Sequence, residues 1–140
     1  EAGFLIMGGG YYPDGTLRQA TYSPIICESD NGLSNLRGTL SMSRTNDPDS
    51  ATSLFFINHS DNIILDYNEA ISSIGYCVFG EVTLGMDVVD AIANLPVYTE
   101  GPISIPVDTV LINTAYVVPE PATMSLLVIG GLSLIRRRKK

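Results

Sequence analysis

Apolar and polar positions alternate in short runs along the first two thirds of the chain. "GFLIMGG" (3–9), "SPIICE" (23–28), "GTLSMSR" (38–44), "SLFFIN" (53–58), "YCVFGEV" (76–82) and "TVLINTAYV" (109–117) are each separated by clusters of Gly, Pro, Asn and Asp. Runs of this length and alternation predict half-buried strands. One stretch has the longer period of a helix. "LGMDVVDAIANL" (84–95) sets Met86, Val89, Ile92 and Ala93 on one face, with Asp87 and Asp90 on the other near the N-terminus. Many strands with one or two helices predict a mainly β barrel or sandwich.

The pattern changes after Tyr116. Pro119 and Pro121 bracket Glu120, and Ala122 to Ile135 then runs without a charge into Arg136, Arg137, Arg138, Lys139 and Lys140. As a helix, those fourteen residues span about 21 Å, short of the roughly 30 Å hydrocarbon core. Length alone favours a buried helix, but a block of cations closing an apolar run acts as a membrane stop. Gly130 and Gly131 weaken a soluble helix and are ordinary in a membrane one. The expected organisation is a domain over 1–115, a linker over 116–121, and a transmembrane helix with a basic tail over 122–140.

Charge sharpens this division. The 140 residues carry 15 acidic and eight basic side chains. Five of the basic ones close the tail, so the chain before Arg136 holds Arg18, Arg37 and Arg44 alone against 15 acids and carries −12. Such a surface repels phosphate backbones and sets the protein against nucleic acid as a partner. The body has no Lys, which removes Schiff-base chemistry and the phosphate-loop lysine. Gly8, Gly9 and Gly10 lack the spacing of a phosphate loop and read as close backbone packing beside Tyr11. His59, the single histidine, follows a strand in a polar loop and is expected at the surface. Asp47, Asp49 and Asp61 lack calcium-loop spacing, and neither metal nor cofactor is expected. Cys27 and Cys77 fall in separate runs; pairing in an exported protein and burial as single thiols both remain open.

The tail resembles the PEP-CTERM sorting signal of Gram-negative bacteria: a Pro-Glu-Pro triplet at Pro119, Glu120 and Pro121, a short apolar helix, and a basic cluster led by Arg136, Arg137 and Arg138. The resemblance implies export, a precursor anchored in the inner membrane by its C-terminal helix, recognition by an exosortase, and delivery to the cell surface or extracellular matrix. A secretion signal would accompany it. The chain opens at "EAGFLIMGGG" without one, so the sequence is expected to be a fragment.

The body resembles the cyclophilins, the β-barrel peptidyl-prolyl isomerases. "GFLIMGGG" is similar to their Gly-Phe-x-Ile-Gln-Gly-Gly strand. "GTLSMSRTNDPDSATSLFFIN" is similar to the block from Gly-x-x-Ser-Met-Ala to Ser-Gln-Phe-Phe-Ile, and "GYCVFGEVTLGMDVVDAIANLPV" to the Val-Phe-Gly strand and its following helix. The blocks follow in order over residues 3–113. The resemblance implies a cyclophilin-like closed β-barrel, incomplete here because the opening strands and first helix precede the Gly-Phe strand.

Isomerisation needs no bond broken, only a barrier of about 18–20 kcal/mol lowered. An apolar cup must seat the proline ring, and a donor must meet the prolyl nitrogen as it becomes pyramidal. The resemblance assigns the donor to an Arg upstream of Glu1, so no residue of this chain is expected to be catalytic. It assigns the cup to Phe4, Leu5, Phe56, Leu65 and Tyr76, with Ile64 where many eukaryotic members carry Trp. Ser43, Arg44 and Thr45 fall on the substrate edge. Arg44 reads equally as a peptide contact or a solvated surface arginine. Filling of a barrel core uses the same apolar types, but the ungapped match from Gly38 to Asp66 favours the cup.

Two positions depart from the pattern. Met7 and Leu54 stand where the family carries Gln, and their amides orient the Arg and hold the substrate backbone there. The expected function is an exported isomerase of Xaa-Pro bonds in proline-containing polypeptides, with weakened catalysis. A non-catalytic Xaa-Pro-binding module and a surface scaffold are the alternatives.

Overall fold

The computed structural model describes residues 3–100 and 103–118. The chain divides into two units, Glu1–Val110 and Leu111–Lys140.

In the first unit, four short strands make one antiparallel sheet: β1 (Leu5–Gly8), β2 (Thr39–Met42), β3 (Phe55–Asn58) and β4 (Val78–Glu81), in the order β1-β3-β2-β4. Register aligns Met7 with Phe56, Phe56 with Ser41, and Ser41 with Val78. Directly opposed residues share a face, so these four form one row across the sheet. Phe56, Ser41 and Val78 are buried, and Met7 at the edge strand is not. Between Leu40 and Ser41 the pairing with β4 slips at a bulge, leaving Phe79 as the extra residue.

The helix α1 (Met86–Ala93) packs against β1 and turns Val89 inward, as its period requires. It starts at Gly85, whose φ of 90° is open to glycine at little cost. A separate hairpin pairs β5 (Val97–Glu100) with β6 (Ile103–Pro106). Single turns of 3-10 helix occupy Pro48–Ser50, Ile63–Leu65 and Glu69–Ile71.

The expected strands at 3–9, 38–44, 53–58 and 76–82 and the helix at 84–95 all form, each shortened at its ends. Two others do not. The 23–28 run makes one isolated bridge, Ile25 with Ala51, and Pro24 limits what its backbone can donate. The 109–117 run has no strand pairing among the described residues; the hairpin at 97–106 forms instead. The architecture is thus mainly β with one helix, and the described residues form an open sheet rather than a closed barrel. Among them, no helix is long and apolar enough to cross a membrane. The sorting triplet, the expected transmembrane helix at 122–135 and the basic tail lie outside the described residues.

Candidate functional site

Phe56 stands at the centre of the sheet, 2% exposed. Its ring and that of Tyr76 lie with centroids 5.5 Å apart at 78°, the T-shaped arrangement aromatic quadrupoles favour. Tyr76 is brought there by its own backbone, whose N–H donates to Leu65 O at 2.8 Å. Gly75 just before it has a φ of 67°, and a side chain there would run into the backbone of Asp66 and Tyr67. Only glycine allows the two segments to approach so closely.

Arg44 stacks over the Tyr76 ring, its guanidinium carbon 4.7 Å from the ring centroid. Its Nε and Nη2 donate to Gly75 O at 3.1 and 2.8 Å, and Nη1 donates to Thr45 O at 2.9 Å. The solvated-arginine reading is therefore corrected: a fork on one carbonyl and a stack on one ring hold this side chain in place. Thr45 is exposed and donates through its N–H and hydroxyl to Ser50 Oγ, and Ser43 N donates to Leu54 O.

Beneath this cluster lies a buried polar network. Asn35 is fully buried; its Nδ2 donates to Leu65 O, Asp66 Oδ1 and Tyr76 O, and its Oδ1 accepts from Ser41 Oγ at 2.6 Å and Asn58 Nδ2 at 3.3 Å. Asn58 in turn accepts from Asn62 Nδ2 at 2.7 Å, which also donates to Phe4 O. These bonds connect the segments carrying Leu65 and Tyr76 to Phe4, just before β1, and to β3, which carries Phe56. Partial burial works against the Asp66 anion, but hydrogen bonds from Ser34 Oγ, Asn35 N and Asn35 Nδ2 outweigh it and hold the carboxyl below its ordinary value.

His59 is 6% exposed, which overturns its expected surface position. Its Nδ1 lies 2.7 Å from Gly3 O and its Nε2 3.0 Å from Asp90 Oδ1. Asp90 also takes a two-pronged contact from Arg37 Nη2, at 2.7 and 2.9 Å. Hydrogen bonding from Arg37, then its charge and that of His59, hold the Asp90 carboxyl below its ordinary value against the opposing effect of desolvation. Asp90 thus closes α1 onto the loop after β3. Loop composition alone hid this, because the partners are 31 and 53 positions away from His59 and Arg37 respectively.

The structure brings together Phe56, Tyr76, Leu65 and Arg44, with Met7 opposite Phe56 at the rim and 55% exposed. Phe4 joins through its carbonyl, which accepts from His59 N and Asn62, while its ring is half exposed. Leu5 pairs with Asn58. Leu54 fills the space over Gly10, where a Cβ would collide with it; Gly9 is equally confined by Ser53 O. Ile64 is exposed. Missed in the sequence were Asn35, Ser41, Asn58 and Asn62, whose one legible signal was polar residues at inward strand and turn positions. A cavity of about 300 Å³ shares only Arg44 with the expected site; Ile25, Cys27, Met42, Cys77 and Phe79 are among its walls.

A four-stranded sheet carrying this aromatic pair, Tyr76 stacked by an arginine, and a helix after the Val-Phe-Gly strand define a class. The family of cyclophilin type peptidyl-prolyl cis-trans isomerases (Cyclophilin type peptidyl-prolyl cis-trans isomerase/CLD) matches residues 1–117, and the chain belongs to it. The PEP-CTERM protein-sorting motif matches residues 117–139. A peptidyl-prolyl cis-trans isomerase of Acinetobacter baylyi is 54% identical over 98 residues, covering 70% of this chain and 50% of that protein. Peptidyl-prolyl cis-trans isomerase B of Escherichia coli is 51% identical over 100 residues, covering 71% and 60%. A cyclophilin type isomerase of Cryptosporidium parvum, solved in the presence of the dipeptide Ala-Pro, superposes with a TM-score of 0.56 at 26% identity, covering 77% of this chain and 64% of that one. The chain spans about half to three fifths of the length of the curated bacterial relatives named here.

Proposed function

We propose that the protein is an exported peptidyl-prolyl cis-trans isomerase that acts on Xaa-Pro bonds of exported polypeptides with weakened catalysis. The observation that carries this reading is the Phe56–Tyr76 pair, held by Leu65 and Arg44 on the sheet face that Met7 borders. A proline ring seated among Phe4, Leu5, Met7 and Leu65, over the buried Phe56, removes apolar surface from water at roughly 25 cal/mol per Å². Ser43, Arg44 and Thr45 form the edge along which the peptide backbone lies.

Catalysis asks for more than this cup. Met7 presents a thioether beside Phe56 where an amide would orient both a guanidinium donor and the substrate. Leu54 supplies no polar atom either, since its side chain is committed to Gly10. Oriented hydrogen bonds of that kind are worth roughly 2.7–4 kcal/mol each to a transition state, whereas ring burial is common to ground and transition states. Binding is therefore retained better than rate. The same two residues favour the second reading, a non-catalytic Xaa-Pro-binding module.

The tail supports export. We read Pro119, Glu120 and Pro121 as the exosortase recognition triplet, residues 122–135 as the membrane anchor of the precursor, and Arg136, Arg137 and Arg138 as its cytoplasmic stop, with the cell surface or matrix as destination. Exchange NMR on a proline peptide, run with the full-length protein beside Met7→Gln combined with Leu54→Gln, tests the catalytic part. The double change should speed exchange on the order of a hundredfold while peptide affinity moves little. An unmodified rate equal to that of an ordinary cyclophilin would remove the weakened-catalysis reading. No exchange in either protein, with binding intact, would select the binding module.

A further inference from the structure

Both cysteines are free and half-buried, and both stand on the wall of the same cavity of about 300 Å³, beside Met42, Ala51 and Phe79. They reach it from different directions. Cys77 opens the segment leading into β4, and Cys27 belongs to the long exposed stretch between β1 and β2. That stretch is held to the sheet at this place: Cys27 N donates to Asp49 Oδ1 at 2.8 Å, Ile25 N to Ala51 O at 3.0 Å, and Asn31 Nδ2 to Val78 O at 3.0 Å and Cys77 Sγ at 3.7 Å. Burial pushes the Cys77 thiol up; the Glu28 backbone N–H opposes this, and the charges of Cys27 and Glu28 add to it. The shared cavity wall and the 3.7 Å contact of Asn31 Nδ2 with Cys77 Sγ bring the Cys77 sulfur to the stretch that carries Cys27 and Glu28.

We propose that Cys27 and Cys77 are a covalent modification site: an intramolecular disulfide, formed by exchange with a disulfide oxidant, that ties the exposed stretch to the start of β4. One cysteine thiolate attacks a sulfur of the incoming disulfide, forming a mixed disulfide and expelling one thiol. The second cysteine thiolate attacks the protein sulfur of that intermediate, forming the Cys27–Cys77 bond and releasing the second thiol. Two electrons and two protons pass from the protein to the oxidant, which leaves as two thiols. The sorting motif places the body on the exported side, where such oxidants act. The inference goes beyond the isomerase reading and does not depend on it, because neither cysteine belongs to the aromatic cluster.

The bond closes a loop of fifty positions, so an unfolded chain brings the two thiols together rarely, and only the fold makes the pair favourable. The test equilibrates the full chain in detergent with reduced and oxidised glutathione at about pH 8, native and in urea, with acid quench, alkylation and intact-mass analysis. The expected product has lost the mass of two thiol hydrogens, takes no alkyl group, and yields one linked peptide pair containing Cys27 and Cys77. Its equilibrium constant against glutathione should be at least about tenfold higher for the native chain than in urea. Cys27→Ser and Cys77→Ser should each acquire a single glutathione instead. Two alkylated cysteines, two glutathiones on the unmodified chain, a covalent dimer, or equal constants in both conditions would each overturn the proposal.

Discussion

Residues 35–66 and residues 11–34 have similar shares of apolar side chains but opposite fates. The former folds into two strands and two turns around Phe56 and the Asn35 network; the latter is exposed almost throughout, Tyr22 being 85% accessible. Hydrophobicity does not separate them. In 35–66 every buried polar atom finds a partner, and Asn35, Ser41 and Asn58 lock strands and turns together as Phe56 is buried. Pro13, Gly15, Pro24 and Gly32 break 11–34 into pieces too short for a paired strand, and its contacts are local turns, isolated bridges at Tyr11–Leu17 and Ile25–Ala51, and a few side-chain bonds. Specific satisfaction of polar groups, more than apolar content, marks where this chain is ordered.

The comparison breaks if the network is dispensable. Asn35→Leu removes the partner of Ser41 and Asn58 and one of the donors to Asp66, and should cost on the order of 3 kcal/mol, since each buried polar group left unpaired costs about 1–3. A urea midpoint for the full chain within error of the parent would refute it. Gly75→Ala should cost about 2 kcal/mol, because φ of 67° and the Asp66 and Tyr67 backbone both oppose a Cβ. The same change should loosen Tyr76, read as a loss of ring-current shifts on Phe56 neighbours; unchanged shifts would count against the glycine argument.

Acid tests the carboxylate anchors. Asp66 and Asp90 are both held below their ordinary values when folded, so each contributes stability above the unfolded carboxyl value of about 4 and loses it as pH falls through the lower folded value. Stability should fall as pH drops below about 4, and Asp66→Asn should flatten part of that slope. An identical slope in the variant would remove Asp66 as an anchor. The smallest effect belongs to the exposed stretch: Tyr22→Ala should stay within about 0.5 kcal/mol of the parent. A larger loss would show that residues 11–34 are packed more firmly than their exposure indicates.

Period and punctuation in the sequence were enough for the four sheet strands and α1, because an alternating run has one face to bury and a helical run has one stripe. The 23–28 and 109–117 runs read the same way and failed, since pairing depends on an available edge and register that no local pattern states. The aromatic positions Phe56 and Tyr76 were legible through the cyclophilin blocks. Their mutual geometry was not, nor was the clamp of Arg44 on Gly75.

The sequence by itself determined the family, the mainly β class with one helix, the acidic body, and the absence of amides at Met7 and Leu54. Tertiary structure alone decided that His59 is buried between Gly3 and Asp90, that Asn35 joins Ser41, Asn58 and Asp66, and that Cys27 and Cys77 face one cavity. The physical reason is the range of the interactions. Propensity and period act over a few residues along the chain, whereas a buried polar atom takes its partner from wherever the fold brings one, here from as far as 58 positions away.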